Sequence, residues 1–294
     1  MATILIIGAS QGLGLEWVKH YKAQGHDIIA TTRNPDTATE LKELLHDDGD
    51  KIFQLDVTNA DDVQYVIEQL PEAPDITIYN AGVKGYIKSP DIKTTLLNTT
   101  LHEEDISSRA TGRELAFKVN AFGFDQTMFA LKDRLLAKPQ ATVVYVSTGV
   151  AETSQNTGGG YPFYRQSKTA GESFARGWDI DLSERCLLEY RPRVFSIVPG
   201  LVDTGMGAGI DGAAPPCLRV AEMAKVIEQV KISGDTHGVW KYDGTKVMVH
   251  EIPDSIKRAA SHVMSDAELL SKSGFYKTGA AQSSQGGSVL APTP

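Results

Sequence analysis

Tyr164 and Lys168 stand four residues apart in the run FYRQSKTAG (residues 163–171) and carry the side chains best suited to chemistry. The run is expected to begin a helix, on which residues four apart share a face. A free tyrosine has a pKa near ~10 and is a poor acid at neutral pH. A fixed positive charge nearby lowers that pKa, so the phenol can exchange a proton with an alcohol or carbonyl oxygen. Many solvated helices carry the same pair, so its meaning depends on the elements around it.

The first residues of the chain have the pattern of a nucleotide site. Residues 3–7 are apolar and β-branched, which predicts a buried strand, and glycines follow it directly. Residues 15–25 then have apolar side chains at helical spacing, with a stop expected at Gly25. Glycine lets the backbone approach a pyrophosphate, and the helix N-terminus offers free N–H groups. The pattern favours a dinucleotide site over a structural glycine turn, and its glycines are Gly8, Gly12 and Gly14.

The end of the second expected strand, residues 26–33, indicates which dinucleotide is bound. Sites selective for NAD usually place an acidic residue there, to hold the ribose 2′-OH. This chain has Thr32 and Arg33 instead, and a guanidinium can bind a 2′-phosphate through two hydrogen bonds. Ser10 and Thr32 offer further hydroxyl groups. The pattern favours NADP(H), with a solvated loop charge as the alternative for Arg33.

Seven motifs occur in an order that resembles the short-chain dehydrogenase/reductase family, over residues 2 to about 250. Each motif is common alone, and their order makes the resemblance specific. A further stretch, GGGYPFYRQSKTA (158–170), and a YDG turn (242–244) are similar to the carbonyl-reductase-like branch. The seven motifs are GASQGLG (8–14), LDVT (55–58), YNAG (79–82), FKVNAFG (117–123), VYVSTG (144–149), YRQSK (164–168) and VPGLVDTGM (198–206).

The resemblance implies hydride transfer between NADPH and a carbonyl carbon, with Tyr164 donating the proton. Lys168 would hold the cofactor ribose and lower the pKa of Tyr164, and Asn120 would hold a water that links Lys168 to solvent. Asp56 would contact adenine, and Thr204 would hold the nicotinamide carboxamide. The expected cofactor contacts are Gly8, Ser10, Gly12, Leu13, Gly14, Thr32, Arg33, Asp56, Val57, Asn80, Ala81, Gly82, Tyr164, Lys168, Pro199, Gly200, Val202 and Thr204.

The catalytic hydroxyl is ambiguous between Ser147 and Thr148. The family usually has two serines here, and the second is catalytic. Position relative to the strand end favours Thr148, and residue identity favours Ser147, to which we give a slight preference. Successive strand residues point to opposite faces, so only one of the two hydroxyls should face the substrate.

Three segments depart from the family pattern or border the expected substrate pocket. Residues 83–119 are longer than usual, and part of them either caps the pocket or is a solvated excursion. The loop 205–219 is rich in Gly, Ala and Pro, consistent with a mobile flap. Beyond a last strand expected near 246–252, residues 254–279 are expected to form a helical extension and 280–294 a disordered tail.

Length and composition are consistent with one large domain, residues 1–253. The chain has 294 residues and alternates strand and helix patterns throughout, which predicts an α/β fold. We expect a single Rossmann-type, doubly wound parallel sheet with helices on both faces. A formal net charge of −8 argues against a nucleic-acid surface. The histidines and the two cysteines, Cys186 and Cys217, lack metal-binding spacing, so no metal is expected. We also expect no signal peptide, no membrane span and a cytoplasmic location.

The expected partner is a small carbonyl or alcohol substrate. Tyr161, Phe163 and Met206 suggest an apolar or aromatic guest, and each is equally compatible with local packing. Alcohol oxidation in the reverse direction stays open, as do a cyclase, imine reduction and a redox-sensing regulator. The family often forms homodimers or homotetramers through helices that here cover residues 112–136 and 164–182.

Overall fold

The structure is a computed structural model that describes residues 1–47, 49–85, 106–157, 159–187, 190–207 and 209–247. Three expectations lie outside these residues. They concern the middle of the long segment (86–105), the helical extension (254–279) and the disordered tail (280–294). No helix in the described ranges is long and apolar enough to cross a membrane.

A seven-stranded parallel sheet forms the centre of the described fold, in the order β3-β2-β1-β4-β5-β6-β7. The strand β1 pairs with β2 on one side and β4 on the other, so the strand order reverses there. Ligands bind such sheets at the carboxyl ends of the strands, beside this reversal. The expected Rossmann-type, doubly wound α/β fold is confirmed. The strands are β1 (Thr3–Ile7), β2 (Asp27–Thr32), β3 (Lys51–Gln54), β4 (Ile76–Tyr79), β5 (Thr142–Val146), β6 (Arg193–Val198) and β7 (Val239–Lys241).

Helices cover both faces of the sheet, because the strands bury apolar side chains on both sides. Ile4 and Ile6 of β1 enter one core, and Leu5 and Ile7 enter the other, as strand alternation requires. The first core is closed by α1, α2 and α7, and the second by α3, α5 and α6. The helices are α1 (Gly12–Lys22), α2 (Thr39–Leu44), α3 (Ala60–Glu68), α4 (Ile106–Phe117), α5 (Gly123–Ala137), α6 (Pro162–Ser183) and α7 (Pro216–Ser233), with a π-helical segment at Lys118–Phe122.

Two expected boundaries are wrong. The first helix was expected at residues 15–25, but it begins at Gly12 and ends at Lys22, since the glycine loop itself enters the helix. Most of the last strand expected near 246–252 lies outside the described residues; the last described strand is β7 at Val239–Lys241, which the sequence pattern did not predict. The chain reverses after β7 through the YDG turn, and Lys246 makes one antiparallel bridge back to Trp240. The expected loop 205–219 is also shorter, because α7 begins at Pro216.

The helix α6 approaches β5 closely at Gly171. A Cβ atom there would lie 2.1 Å from the hydroxyl oxygen of Tyr145. That buried hydroxyl donates to the main-chain oxygen of Asn120 at 2.7 Å, within the π-helical segment. The absent side chain at Gly171 therefore lets a strand, a helix and the π-helical segment meet at one point.

Replacing Gly171 should destabilise the fold. In Gly171→Ala, the new methyl group would push Tyr145 from its hydrogen bond, at a cost of about 1–3 kcal/mol in the free energy of unfolding. Gly177 is a matched control on the same helix, since it is exposed and no atom lies within 4 Å of its Cβ position. Gly177→Ala should be neutral or stabilising by up to about 1 kcal/mol. Urea unfolding measures both changes, and equal effects would contradict this account.

Candidate active site

The glycine loop after β1 is held by the segment that follows β4. A Cβ atom at Gly8 would lie 2.9 Å from the backbone of Ala81, and one at Gly14 would lie 2.0 Å from the oxygen of Gly8. The Asn80 side chain donates from Nδ2 to that same oxygen at 2.9 Å. Only glycine fits these two positions without a shift of the backbone. Two sequence motifs, residues 8–14 and 79–82, therefore form one close-packed surface.

The segment after β6 closes the other side of the loop. Gly12 faces Thr204, with 3.5 Å between its Cβ position and the Cβ of Thr204. Val202 is buried and pairs with Ala214 in an isolated bridge. Gly200, which follows Pro199, packs against the Tyr242 ring of the YDG turn. The expected PG-x-V-x-T segment thus lies against the glycine loop.

The end of β2 presents an uncompensated positive charge. Thr31 accepts a hydrogen bond from the Gly8 amide at 3.3 Å, and Thr32 is buried. Arg33 is exposed, and no carboxylate in the described part of the chain forms an ion pair with it. Ser10 and Leu13 are partly exposed along the loop.

Asp56 and Val57, which follow β3, are engaged by the protein itself. Asp56 accepts from the amide and the hydroxyl of Thr58, at 2.9 and 2.8 Å. Val57 is buried, and its carbonyl accepts from the Gln126 amide. These bonds hold the turn after β3 in place at the carboxyl edge of the sheet.

The neighbouring hydroxyls of Ser147 and Thr148 have different partners. The Thr148 hydroxyl lies close enough to that of Tyr164 to lower the pKa of the phenol, against the larger effect of burial. The Ser147 hydroxyl donates instead to Glu172 Oε1 at 2.5 Å, on α6. Thr148 therefore lies beside Tyr164 near the start of α6, and Ser147 lies beside Glu172, eight residues further along the same helix.

Lys168 is 3% exposed and donates from Nζ to the Val146 carbonyl at 2.7 Å. It also lies 4.8 Å from the centroid of the Tyr145 ring. Burial lowers the pKa of Lys168 to about 7, and the Glu172 carboxylate opposes that shift. The charge on this ammonium is therefore sensitive to its surroundings near neutral pH.

Tyr164 does not have the lowered pKa that its spacing from Lys168 suggested. Burial raises the pKa of Tyr164 to about 12, and the nearby Thr148 hydroxyl only partly offsets the rise. The reason is that burial disfavours the charged forms of both Lys168 and Tyr164, so the desolvation of the phenolate has the larger effect on the pKa of Tyr164. Within the protein alone, Tyr164 is a protonated phenol at neutral pH.

Asn120 lies in the π-helical segment between α4 and α5 and is fully buried. Its side chain donates from Nδ2 to the Val83 carbonyl and accepts from the Val83 amide, each at 2.8 Å. It also donates to the Ser167 hydroxyl at 2.9 Å. A Cβ atom at Gly82 would lie 3.2 Å from Lys168 Nζ and 3.4 Å from Asn120 Oδ1, so the three residues meet. Asn120 therefore ties the segment after β4 to α6.

Glu172 is the site residue that the sequence interpretation missed. It lies four residues after Lys168 and eight after Tyr164, so one face of α6 carries all three, and that spacing was a usable signal. Burial raises the pKa of Glu172 to about 7, and the Ser147 hydrogen bond and Lys168 oppose the shift. Glu172 is partly buried, and its charge acts on that of the buried Lys168 one turn earlier on the helix.

The three residues proposed to contact an apolar guest have unequal exposure. Tyr161 adopts a left-handed conformation (φ 49°) at the start of α6 and is partly exposed. Met206 is 43% exposed, whereas Phe163 is buried at 6%. Two of the three side chains therefore reach the surface near Tyr164, and Phe163 packs internally.

The comparisons with known proteins agree with this arrangement. A family model of short chain dehydrogenases matches residues 2–213, so the chain belongs to that family. An uncharacterised oxidoreductase of Staphylococcus saprophyticus is 24% identical over 229 residues, covering 75% of this chain and 87% of the relative. A short-chain dehydrogenase of Talaromyces islandicus is 26% identical over 286 residues, covering 94% of this chain and 85% of the relative.

Solved structures with the same fold include several carbonyl reductases. The NADPH-bound carbonyl reductase from chicken fatty liver has a TM-score of 0.70 at 20% identity, covering 85% of this chain and 99% of that one. The carbonyl reductase Sniffer of Drosophila melanogaster has a TM-score of 0.67 at 23% identity, and the match covers 85% of this chain and 100% of that one. A Pseudomonas aeruginosa carbonyl reductase in complex with NADP has a TM-score of 0.68 at 20% identity, covering 85% and 100%. The carbonyl-reductase-like resemblance is confirmed at the level of the family and fold.

Glu172 should make stability depend on pH. Its pKa rises from 4.5 to about 7 on folding, so the folded state holds the proton more tightly. The resulting contribution to stability is complete below pH 4.5 and is lost as the pH rises through about 7. Glu172→Gln cannot titrate, so the stability difference between variant and wild type should change by about 1–3 kcal/mol over that window.

Urea midpoints between pH 4.5 and 7 test this expectation. The control variant is Glu184→Gln, which removes an exposed carboxylate at the end of the same helix. The control should keep the wild-type pH dependence. If the urea midpoints of Glu172→Gln and wild type change in parallel with pH, Glu172 does not titrate in this window.

Proposed function

We propose that this protein is a reductase that uses NADPH to convert the carbonyl group of a small organic compound into an alcohol. The observation that carries the proposal is the proximity of the Tyr164 and Thr148 hydroxyls, beside the buried Lys168. Two hydroxyls that converge at the carboxyl edge of the sheet can both contact one carbonyl oxygen. Family membership and the carbonyl reductases of the same fold support this reaction class.

The residues around the glycine loop fit a dinucleotide. Gly8 and Gly14 leave no room for side chains, so the loop presents bare backbone in front of the N-terminus of α1. Residues after β4 and β6 border the loop and would hold the nicotinamide end. Bound NADPH would supply the hydride that the carbonyl carbon accepts. The carbonyl reductases from chicken and Pseudomonas aeruginosa, which bind NADPH or NADP, support this cofactor.

Arg33 supports NADPH rather than NADH. It is exposed at the end of β2, next to Thr32 and free of ion pairs with described carboxylates. A 2′-phosphate would gain charge-assisted hydrogen bonds from this guanidinium. A ribose without that phosphate would leave the guanidinium in water and gain no such bonds. NADPH should therefore bind more tightly than NADH.

Tyr164 is proposed to donate the proton to the carbonyl oxygen. Its raised pKa keeps the phenol protonated at neutral pH, so a proton is available. The same burial makes transfer difficult, because a bare phenolate would be poorly solvated. A charged Lys168 would favour the phenolate, and Glu172 helps to keep Lys168 charged. Glu172 is thus proposed to act through Lys168, as a positioning residue.

Thr148 is proposed as the hydroxyl that orients the carbonyl. Residue identity favoured Ser147, but the Ser147 hydroxyl is committed to Glu172. Asn120 is proposed to position the segment after β4 through its two bonds to Val83. The water-mediated relay from Lys168 past Asn120 stays a prediction from the family resemblance.

The assay that tests the proposal follows NADPH oxidation with a panel of aldehydes, ketones and quinones. The wild-type protein should oxidise NADPH faster than NADH with at least one of them. Tyr164→Phe should bind NADPH normally, as judged by nucleotide fluorescence, and lose about 10²-fold or more in kcat. A fully active Phe variant would remove Tyr164 from the mechanism, and a wild-type protein inactive on the whole panel would overturn the reductase proposal.

The two hydroxyls of β5 should respond differently to alanine substitution. Thr148→Ala removes a donor to the carbonyl oxygen and should lower kcat by about 10²-fold. Ser147→Ala removes a partner of Glu172 instead, so its loss should be smaller, and the pH dependence of kcat should shift. Steady-state kinetics at several pH values distinguish the two variants. A larger loss of kcat in Ser147→Ala than in Thr148→Ala would assign the orienting hydroxyl to Ser147.

A further inference from the structure

Lys84 connects two segments that border the proposed substrate position, those of Tyr161 and Met206. Its Nζ donates to the Met206 carbonyl at 2.8 Å and lies 5.0 Å from the centroid of the Tyr161 ring. Tyr161 lies three residues before Tyr164, and Met206 lies two residues after Thr204. The ammonium therefore sits between the segment that carries the phenol and the segment that borders the glycine loop.

The chain backbone fixes the base of Lys84 close to the reacting groups. Gly82, two residues earlier, lies against Lys168 and Asn120. Gly85, the next residue, packs on α4, since a Cβ atom at Gly85 would lie 2.5 Å from the Gly112 oxygen. The backbone at Lys84 is therefore held between the segment that contacts Lys168 and the helix α4.

No carboxylate in the described part of the chain forms an ion pair with Lys84. The side chain is half-buried, and burial lowers its pKa with no opposing contribution from a described carboxylate. Its three N–H donors have one protein acceptor within the described ranges, the Met206 oxygen. Because the ammonium is half-exposed, its other N–H donors are open to an added acceptor, and an anionic acceptor would form charge-assisted hydrogen bonds with them.

A second cation has a similar position. Arg109 on α4 lies 5.2 Å from the centroid of the Phe163 ring, and Phe163 precedes Tyr164 directly. No described carboxylate forms an ion pair with Arg109 either. Although the chain carries a formal net charge of −8, two cations thus lie beside Tyr161 and Phe163, and neither has an ion pair with a described carboxylate. Such a local field attracts anionic substrates.

We propose that the site accepts carbonyl compounds that carry a carboxylate, and that Lys84 binds this carboxylate while the carbonyl oxygen faces Tyr164. This inference rests on the proposed reductase function and names its substrate class, an oxo acid. The carbonyl carbon accepts a hydride, with NADPH oxidised to NADP⁺. The carbonyl oxygen accepts the Tyr164 proton, and the carboxylate is unchanged.

The position suits a substrate better than the cofactor phosphates. The glycine loop lies after β1 and Arg33 after β2, whereas Lys84 follows β4 on the far side of β1. The Met206 carbonyl marks the place where an oxygen acceptor already satisfies Lys84. A carboxylate oxygen beside that carbonyl would accept a stronger, charge-assisted hydrogen bond from Lys84 Nζ.

The test compares six-carbon 2-, 3-, 4- and 5-oxo acids with their methyl esters, using NADPH and the full chain. At least one acid should have a lower KM than its ester in the wild-type protein. Lys84→Met should raise the KM for that acid roughly 10-fold or more and leave the ester within about twofold. Lys84→Arg, which keeps the charge, should restore part of the preference for the acid.

Lys132→Met is the matched control. Lys132 also donates to a backbone carbonyl, that of Phe129 at 3.2 Å, and lies 4.0 Å from the Phe129 ring centroid on α5. This variant should leave both substrates unchanged. Equal losses for acid and ester in Lys84→Met would show that Lys84 only fastens the Met206 segment and would overturn the inference.

The remaining outcomes separate the inference from the proposed function. A wild-type protein that reduces the esters and rejects every acid would refute the inference and leave the reductase function standing. A protein that reduces neither acids, esters nor simple aldehydes with NADPH would refute both. An unchanged NADPH affinity in Lys84→Met confirms that the variant is folded and that the lysine does not serve the cofactor.

Discussion

The close approach of α6 to β5 at Gly171 is the constraint on which the site depends. It allows the Tyr145 hydroxyl to reach the Asn120 carbonyl at 2.7 Å, beneath the helix. The same proximity lets Lys168 reach the Val146 carbonyl, and Ser147 reach Glu172. A larger residue at position 171 would separate the two elements, and all three hydrogen bonds would lengthen together. The functional groups are thus held by backbone packing more than by their own contacts.

That packing has an electrostatic consequence, because it places charges where water cannot solvate them. Removing an ammonium and a carboxylate from water disfavours both charged forms, which brings the pKa values of Lys168 and Glu172 to about 7 from opposite sides. The charge on each group favours the charged form of the other. Because both pKa values are about 7, a proton can reside on either group near neutral pH. The carboxylate of Glu172 therefore favours the charged form of Lys168.

Much of the fold was predictable from the sequence, because the buried strands and the glycine loop are local patterns. The strand Thr3–Ile7, the parallel sheet and the helix that carries Tyr164 follow from apolar runs, alternation and spacing. The strand β7 was not predicted, since Val239–Lys241 is only three residues long and is defined by its pairing with β6. The pKa of Tyr164 was misjudged for a similar reason: sequence spacing shows which charge is near, whereas burial decides how much of that charge remains.

Ser147 and Thr148 show why residue type alone misleads at such a site. Both are small hydroxyl residues at the end of β5, and the pleat sends neighbouring side chains to opposite sides. Ser147 meets the carboxylate of Glu172, and Thr148 lies beside the phenol of Tyr164, eight residues earlier on the same helix. Their roles follow from which side of the strand each occupies, and this is set by the register of β5 between β4 and β6. A one-residue shift in that register would exchange the two hydroxyls and leave Glu172 facing the residue that now faces Tyr164.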